Sequence, residues 1–191
     1  MAAKVDIFNM ALIGIGAQTV ASPTENTKNA KVCLAVYDML RQGELRKKPA
    51  WNFSIKTAQL PASATEPLFD RAYSYPLPSD FIALVQPYPE ANVSDRDWII
   101  QNGQIYTNWG APLDIRYVAD ITDPNEMDHL FRLALAAKIG ETVAESLIQS
   151  NTKKNTAKDT YDDIIAEARK ANAFDQISAE FPLDTYISVR S

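Results

Sequence analysis

Pro49-Ala50-Trp51-Asn52-Phe53 stands where this 191-residue chain changes its hydrophobic period. Upstream, apolar residues recur three and four apart, as one face of a helix requires. From Trp51 onward, Trp51, Phe53 and Ile55 alternate with polar neighbours, the spacing of a half-buried strand. Pro49 stops the preceding helix, because a proline ring clashes with the carbonyl one turn back and offers no N–H. Seven of the eleven prolines lie between Pro49 and Pro89, which rules out a long helix there and predicts short strands joined by bends.

Working outward toward the N-terminus, Val5, Phe8 and Leu12 predict a helix over 5–13, ended by Gly14 and Gly16. Ser22-Pro23-Thr24-Glu25 reads as the start of a second helix, with Ser22 as cap, Pro23 at the first helical position and Glu25 closing a capping box. Its apolar face would carry Ala30, Cys33, Tyr37 and Leu40, widened by Val32 and Val36, with Lys31, Asp38 and Gln42 on the polar side.

Toward the C-terminus, Phe81-Ile-Ala-Leu-Val85 reads as a buried strand. Trp98-Ile-Ile-Gln, Asn102-Gly103 and Gln104-Ile-Tyr form a hairpin pattern, because Asn-Gly supplies the positive φ angles of a type I′ turn. Residues 113–118 give another strand. Asp123-Pro124-Asn125-Glu126 repeats the cap, proline and acid pattern, so a helix is expected over 124–149. That helix is apolar over most of its girth, through Met127, Leu130, Phe131, Ala134, Ala137, Val143 and Leu147, and must be buried on more than one side. A last helix, over 156–173, has a clean stripe at Ala157, Tyr161, Ile164, Ile165, Ala168 and Ala171. Beyond Phe174 no helical period persists, yet Phe181, Pro182, Tyr186 and Ile187 make it a tail with apolar anchors. The expected fold is α+β: a mainly helical bundle of about four helices from both chain ends, residues 1–49 and 120–174. It carries an inserted small antiparallel β sub-domain, 50–119, and an extended C-terminal tail, 175–191.

Composition narrows the function. Apolar residues make up 46% and charged residues 23%, and no stretch approaches the ~18 apolar residues of a membrane helix. Lys4 and Asp6 fall inside what would be the apolar part of a signal peptide, so the N-terminus does not read as one; the lone Cys33 cannot form an internal disulfide and lies in an apolar helical stretch, so it is expected in the core and synthesis in a reducing cytoplasm is expected. The formal charge of −5 opposes broad nucleic-acid binding, though not a surface past which DNA slides without sticking.

Catalytic groups are scarce. His129, beside Asp128, reads as a rim histidine at a helix start, since no second histidine or nucleophile accompanies it. The acids Asp95 with Asp97, and Asp159 with Asp162 and Asp163, could serve a glycosidase by number, but read as a loop pair and a solvated helix face. Arg46-Lys47-Lys48 suits the last turn of the second helix, where cations meet the negative end of the dipole. Lys153-Lys154 reads as a helix–helix loop. Gly14-x-Gly16 lacks the strand and third glycine of a dinucleotide site. No cofactor or metal is expected.

One ordered set of residues adds to this. Tyr37-Asp38, Arg41, Leu45-Arg46 and Pro49-Ala50-Trp51-Asn52-Phe53 open it; Ala58, Leu60, Tyr75-Pro-Leu-Pro-Ser-Asp80-Phe81 and Pro112-Leu-Asp-Ile-Arg-Tyr117 continue it. Phe131, Ala134-Leu-Ala-Ala137, Ser150-Asn-Thr-Lys-Lys154, Ala166 and Ala168-Arg169 complete it. In this order the chain resembles the tail tubular protein A family, the head-to-tail adaptors of short-tailed bacteriophages. The resemblance covers nearly the whole chain. It implies a homo-oligomeric ring of about a dozen copies between the portal protein and the tail nozzle protein. Genomic DNA would pass through the lumen without specific binding. It implies a virion structural protein, without enzymatic activity, that meets no membrane.

Three expectations are specific. Trp51 and Phe53 should be buried where the β sub-domain meets the helices. Asn102 and Gly103 should form an exposed tip facing the nozzle. Phe181, Tyr186 and Ile187 should contact the portal or a neighbouring subunit. The alternatives are a virion-associated cell-wall hydrolase using a carboxylate pair, and an assembly factor that leaves the particle.

Overall fold

The computed structural model describes residues 3–87 and 98–174. In chain order these form α1 (Lys4–Ile15), α2 (Lys28–Arg46), a 3-10 turn (Asn52–Ser54), β1 (Ile55–Leu60), β2 (Tyr73–Pro76), β3 (Phe81–Pro87), β4 (Trp98–Gln101), β5 (Gln104–Thr107), β6 (Leu113–Ala119), α3 (His129–Ile148) and α4 (Asn151–Phe174). The fold is α+β, with four helices and two three-stranded antiparallel sheets among the described residues.

The helices organise around α3, which packs against α1, α2 and α4. Its buried residues, Phe131, Ala134, Leu135, Ala136, Ile139, Gly140, Val143 and Ala144, point several ways round the helix, as its girth of apolar residues predicts. Small residues let α1 approach closely. A Cβ built on Gly140 would stand 3.2 Å from the Ala11 carbonyl oxygen and 3.4 Å from a methyl of Ile15. Gly16 ends α1 with φ +76°, a left-handed value that only glycine adopts without strain, and its N–H donates to the Ile13 carbonyl at 3.0 Å.

Two predicted helix starts are wrong in the same way. Ser22-Pro23-Thr24-Glu25 closes only a turn: Glu25 N–H donates to the Ser22 carbonyl at 3.2 Å, while Glu25 Oε2 accepts from Ala21 N–H at 2.7 Å. The loop before it is pinned by Asn9, whose side-chain amide bonds both the N–H and the carbonyl of Val20. The cap of α2 is Thr27, which accepts from Ala30 N–H at 3.3 Å. Likewise Asp123 holds a turn by accepting from Asn125 N–H. Asp128 caps α3 instead, accepting from the N–H groups of Leu130 and Phe131 at 2.8 and 3.2 Å. In both places two residues fit the capping role, and the one adjoining the periodic run takes it. Lys153 and Lys154 also move, from the expected loop into the first turn of α4.

The sheets have strand orders β1-β6-β3 and β2-β5-β4. β6 lies in the middle of the first, with Ile55 opposite Val118 and Leu60 opposite Leu113, and it buries Ile115, Tyr117, Val118 and Ala119. The β4–β5 hairpin turns at Asn102 (φ +47°) and Gly103 (φ +70°), as the Asn-Gly pair predicts. One apolar cluster runs from Phe8 and Leu12 of α1 through Phe131 of α3 to Ile115 of β6 and Tyr75 and Ile105 of the second sheet.

The 49–53 string corrects the sequence reading. Trp51 and Phe53 do not alternate along a strand; residues 52–54 make a 3-10 turn, and β1 begins at Ile55. In such a turn side chains eclipse three apart, not two, so the apolar spacing of Trp51 and Phe53 reflects their shared contact with Phe131 and not the alternation of a strand. The burial expected of the two rings is nevertheless present. Trp51 is 1% exposed and Phe53 is partly buried against the core. Both meet Phe131 edge-on, with ring centroids 5.1 Å apart.

Candidate interaction surfaces

Two polar seams tie the helices to the sheets. The first joins α2 to the β1-β6-β3 sheet. The guanidinium of buried Arg41 bonds the Asp120 carboxylate and donates to the Ile121 carbonyl at 2.7 Å, and Gln42 donates to the second Asp120 oxygen at 2.9 Å. Arg46 reaches the Ile82 carbonyl at 3.1 Å. Asp80 accepts from Lys56 and from the Tyr117 hydroxyl, both at 2.9 Å.

The second seam fixes the 49–53 string to α4, which reads its backbone. Arg169 bonds the Pro49 carbonyl and stacks its guanidinium 4.1 Å from the centre of the Trp51 ring. One turn on, Asn172 accepts from Asn52 N–H at 2.8 Å and donates to the Ala50 carbonyl at 3.1 Å. Beneath them buried Glu44 accepts from Lys47 at 2.6 Å and from the Tyr161 hydroxyl at 3.0 Å, and its own carbonyl accepts from Trp51 Nε1–H. Burial works against the charge on Lys47, but its hydrogen bonds to Glu44 and Tyr161 outweigh that and raise its pKa.

Neither seam offers the chemistry of a hydrolase. A glycosidase acid must stay protonated near neutrality, so its environment has to raise its pKa. Asp80 and Asp120, a pair the sequence reading did not single out, stand near enough to act on each other. Lys56 and then Tyr117 hold Asp80 low; at Asp120 partial burial opposes ionisation, but Arg41 and Gln42 prevail and hold it low too. Both are ionised and committed to structural partners. Of the acids considered from sequence, Asp159, Asp162 and Asp163 are exposed on α4, and Asp95 and Asp97 lie outside the described residues. His129 is exposed at the start of α3, with Asp128 at 3.7 Å. Cys33 is fully buried, and burial pushes its thiol up to about 11. Among the described residues no group of three His, Cys, Asp or Glu could hold a metal ion, and no helix is long and apolar enough to cross a membrane.

What remains accessible is apolar surface. On the helical side, Met10 and Ile13 of α1 stand exposed beside a mostly apolar groove of about 180 Å³ completed by Leu133, Ala137 and Ile164. On the sheet side, Leu68 and Phe69 of the 61–72 loop are 87% and 79% exposed, and Tyr73, Ile99 and Ile100 are exposed near them in sequence or across the second sheet. An open recess of about 700 Å³ runs between that loop and the sheet, lined by Leu68, Phe69, Arg71, Ile99, Gln101 and Tyr106. Isolated exposed apolar residues are ordinary, whereas a cluster rimmed by polar groups marks a contact surface.

Asn102 and Gly103 are exposed at the hairpin tip of this same sheet, as expected. Phe181, Tyr186 and Ile187 lie outside the described residues. Leu68 and Phe69 were missed in the sequence; the only signal was an apolar pair standing between turn-forming Pro67 and Asp70, the latter at φ +63°. Comparison with models of known protein families and with characterised proteins finds no match to this chain.

Proposed function

We propose that this chain is a structural head-to-tail adaptor of a short-tailed bacteriophage, a ring of about a dozen copies joining the portal to the tail nozzle. The observation that carries the reading is where the residues of the family resemblance fall. Arg41, Arg46, Pro49, Ala50, Trp51, Asn52, Asp80, Tyr117, Phe131 and Arg169 all belong to the two seams and their aromatic centre, where they meet Asp120, Glu44, Tyr161 and Asn172. This part of the resemblance falls on the interactions that set helices against sheets, while others of its residues, such as Asp114, Thr152, Lys153 and Ala166, are exposed.

Two further features support it. Apolar residues stand exposed on both the helical and the sheet parts, as a joint with neighbours on more than one side requires. The net charge of −5 per copy, repeated round a ring, would repel DNA phosphate from a lumen and keep transit free of adhesion. The portal, the nozzle and passing DNA are the partners in this reading, and the virion tail is its location.

The test is imaging and sizing of the purified protein, alone and with portal rings. A closed ring with a central hole, or one formed on portal, is expected. A protein that stays monomeric at high concentration and fails to bind portal would overturn the proposal.

A further inference from the structure

Asn102 is followed by Gly103, and no other asparagine in the chain is followed by glycine. The pair forms the tip of the β4–β5 hairpin, where both residues are exposed. Among the described residues, the Asn102 side chain and the Gly103 N–H make no hydrogen bond. None of those residues comes within 4 Å of the place a Gly103 Cβ would occupy, so its nitrogen is unshielded. Elsewhere Asn9, Asn29, Asn52, Asn108, Asn125 and Asn172 commit their side chains to hydrogen bonds. The tip therefore holds an exposed amide beside an exposed, unhindered backbone nitrogen.

We propose that Asn102 is a site of covalent self-modification, rearranging to isoaspartate at a rate set by opening of the hairpin. The Gly103 nitrogen gives its proton to water and attacks Cγ of Asn102. The N–Cγ bond forms, the Cγ–Nδ2 bond breaks and ammonia leaves; water is the only co-reactant. Water then opens the cyclic imide. Breaking the new N–Cγ bond gives aspartate. Breaking the original bond between the Asn102 carbonyl carbon and the Gly103 nitrogen gives isoaspartate, whose main chain runs through Cγ. Ring closure needs the side chain and the Gly103 nitrogen on the same side of the Asn102 Cα–C bond. The folded turn opposes this: Asn102 at φ +47° and Gly103 at φ +70° have the signs of a type I′ turn, whose ψ at the first position keeps the two groups apart. Leu77 N–H holds the turn further by donating to the Gly103 carbonyl at 3.0 Å. Conversion therefore waits on local opening of the tip. Once formed, isoaspartate lengthens the main chain and adds a carboxylate, so the two-residue turn that sets Gln101 opposite Gln104 cannot close again. The modification thus loosens the exposed tip of the second sheet as the protein ages. The inference goes beyond the adaptor reading and does not rest on it.

The test incubates the intact protein at neutral pH beside a free peptide of residues 98–107, and follows both by peptide mapping and by enzymatic methylation of isoaspartate. Isoaspartate should accumulate at residue 102 before any other asparagine converts, about tenfold or more slowly than in the peptide. Asn102→Gly, which accepts the positive φ of the turn, should abolish the signal. An intact protein that gains none at 102 over many half-lives of the peptide would overturn the site, and conversion as fast as in the peptide would overturn the control by hairpin opening. In the separated converted form, amide exchange at Leu77 should be about tenfold faster, with exchange across residues 113–119 unchanged to show that the fold persists. Equal protection of Leu77 in both forms would overturn the claim that conversion opens the turn.

Discussion

Replacing Trp51 by alanine removes the group on which both seams and the aromatic centre converge. The indole is fully buried, meets Phe131 at 5.1 Å and Phe53 at 6.2 Å, lies 4.1 Å beneath the Arg169 guanidinium, and donates to the Glu44 carbonyl at 3.1 Å. Truncation of such a ring costs about 3–5 kcal/mol, and the orphaned carbonyl and lost guanidinium stacking place this site in the upper half of that range. With a urea slope near 2 kcal/mol per M, the unfolding midpoint should fall by about 2 M. Trp51→Phe separates packing from the hydrogen bond: it keeps an aromatic ring against Phe131 but loses the donor, and should cost about 1–2 kcal/mol. The assay is equilibrium urea unfolding followed by far-ultraviolet circular dichroism at constant slope. A Trp51→Ala midpoint within about 0.5 M of the parent would refute the placement of this ring as the hub of the fold.

Gly140→Val should lower stability by about 1–3 kcal/mol in the same assay, because its Cβ would press on the Ala11 carbonyl oxygen, a backbone atom that yields only if α1 moves away from α3. Acid should weaken the α2–sheet seam: Asp80 and Asp120 are held low in the folded protein, so the unfolded chain binds more protons. The stability they give is therefore present above the ordinary carboxyl value near 4 and lost as pH falls through their folded values. Midpoints measured from neutral pH downward should decline there, and Asp120→Asn should flatten that decline. Cys33, buried and with its thiol pushed up to about 11, should react with Ellman's reagent only as fast as the chain unfolds, so its rate should rise with urea in step with the loss of structure.

The existence and type of the helices and the hairpin were legible because each has a local cause. α3 is apolar round its girth, and Asn102-Gly103 admits few conformations other than the turn it makes. The starts of α2 and α3 were not, because Ser22 and Thr27, or Asp123 and Asp128, are chemically equivalent caps. Only tertiary contacts, such as Asn9 holding Val20, choose between them. The accessible surface was the least legible part. Leu68 and Phe69 are of the same type as core residues, and their exposure follows from how the 61–72 loop lies on β2, a contact made by Ser63 and Ser74 backbone atoms that leaves no mark in the side-chain pattern.

The 49–53 string is informative for a reason its composition hides. Of its five residues Trp51 and Phe53 are read mainly by their side chains, while α4 holds the backbone of the other three: Arg169 takes the Pro49 carbonyl, and Asn172 takes the Ala50 carbonyl and Asn52 N–H. Backbone recognition demands a particular path of the chain, which proline on one side and a 3-10 turn on the other supply. Asn52 closes the arrangement by donating from its side chain to the Asn172 carbonyl at 2.7 Å, so the pair is reciprocal. Helix, string and first strand are thereby joined at one corner of the fold, held by backbone as much as by side chain.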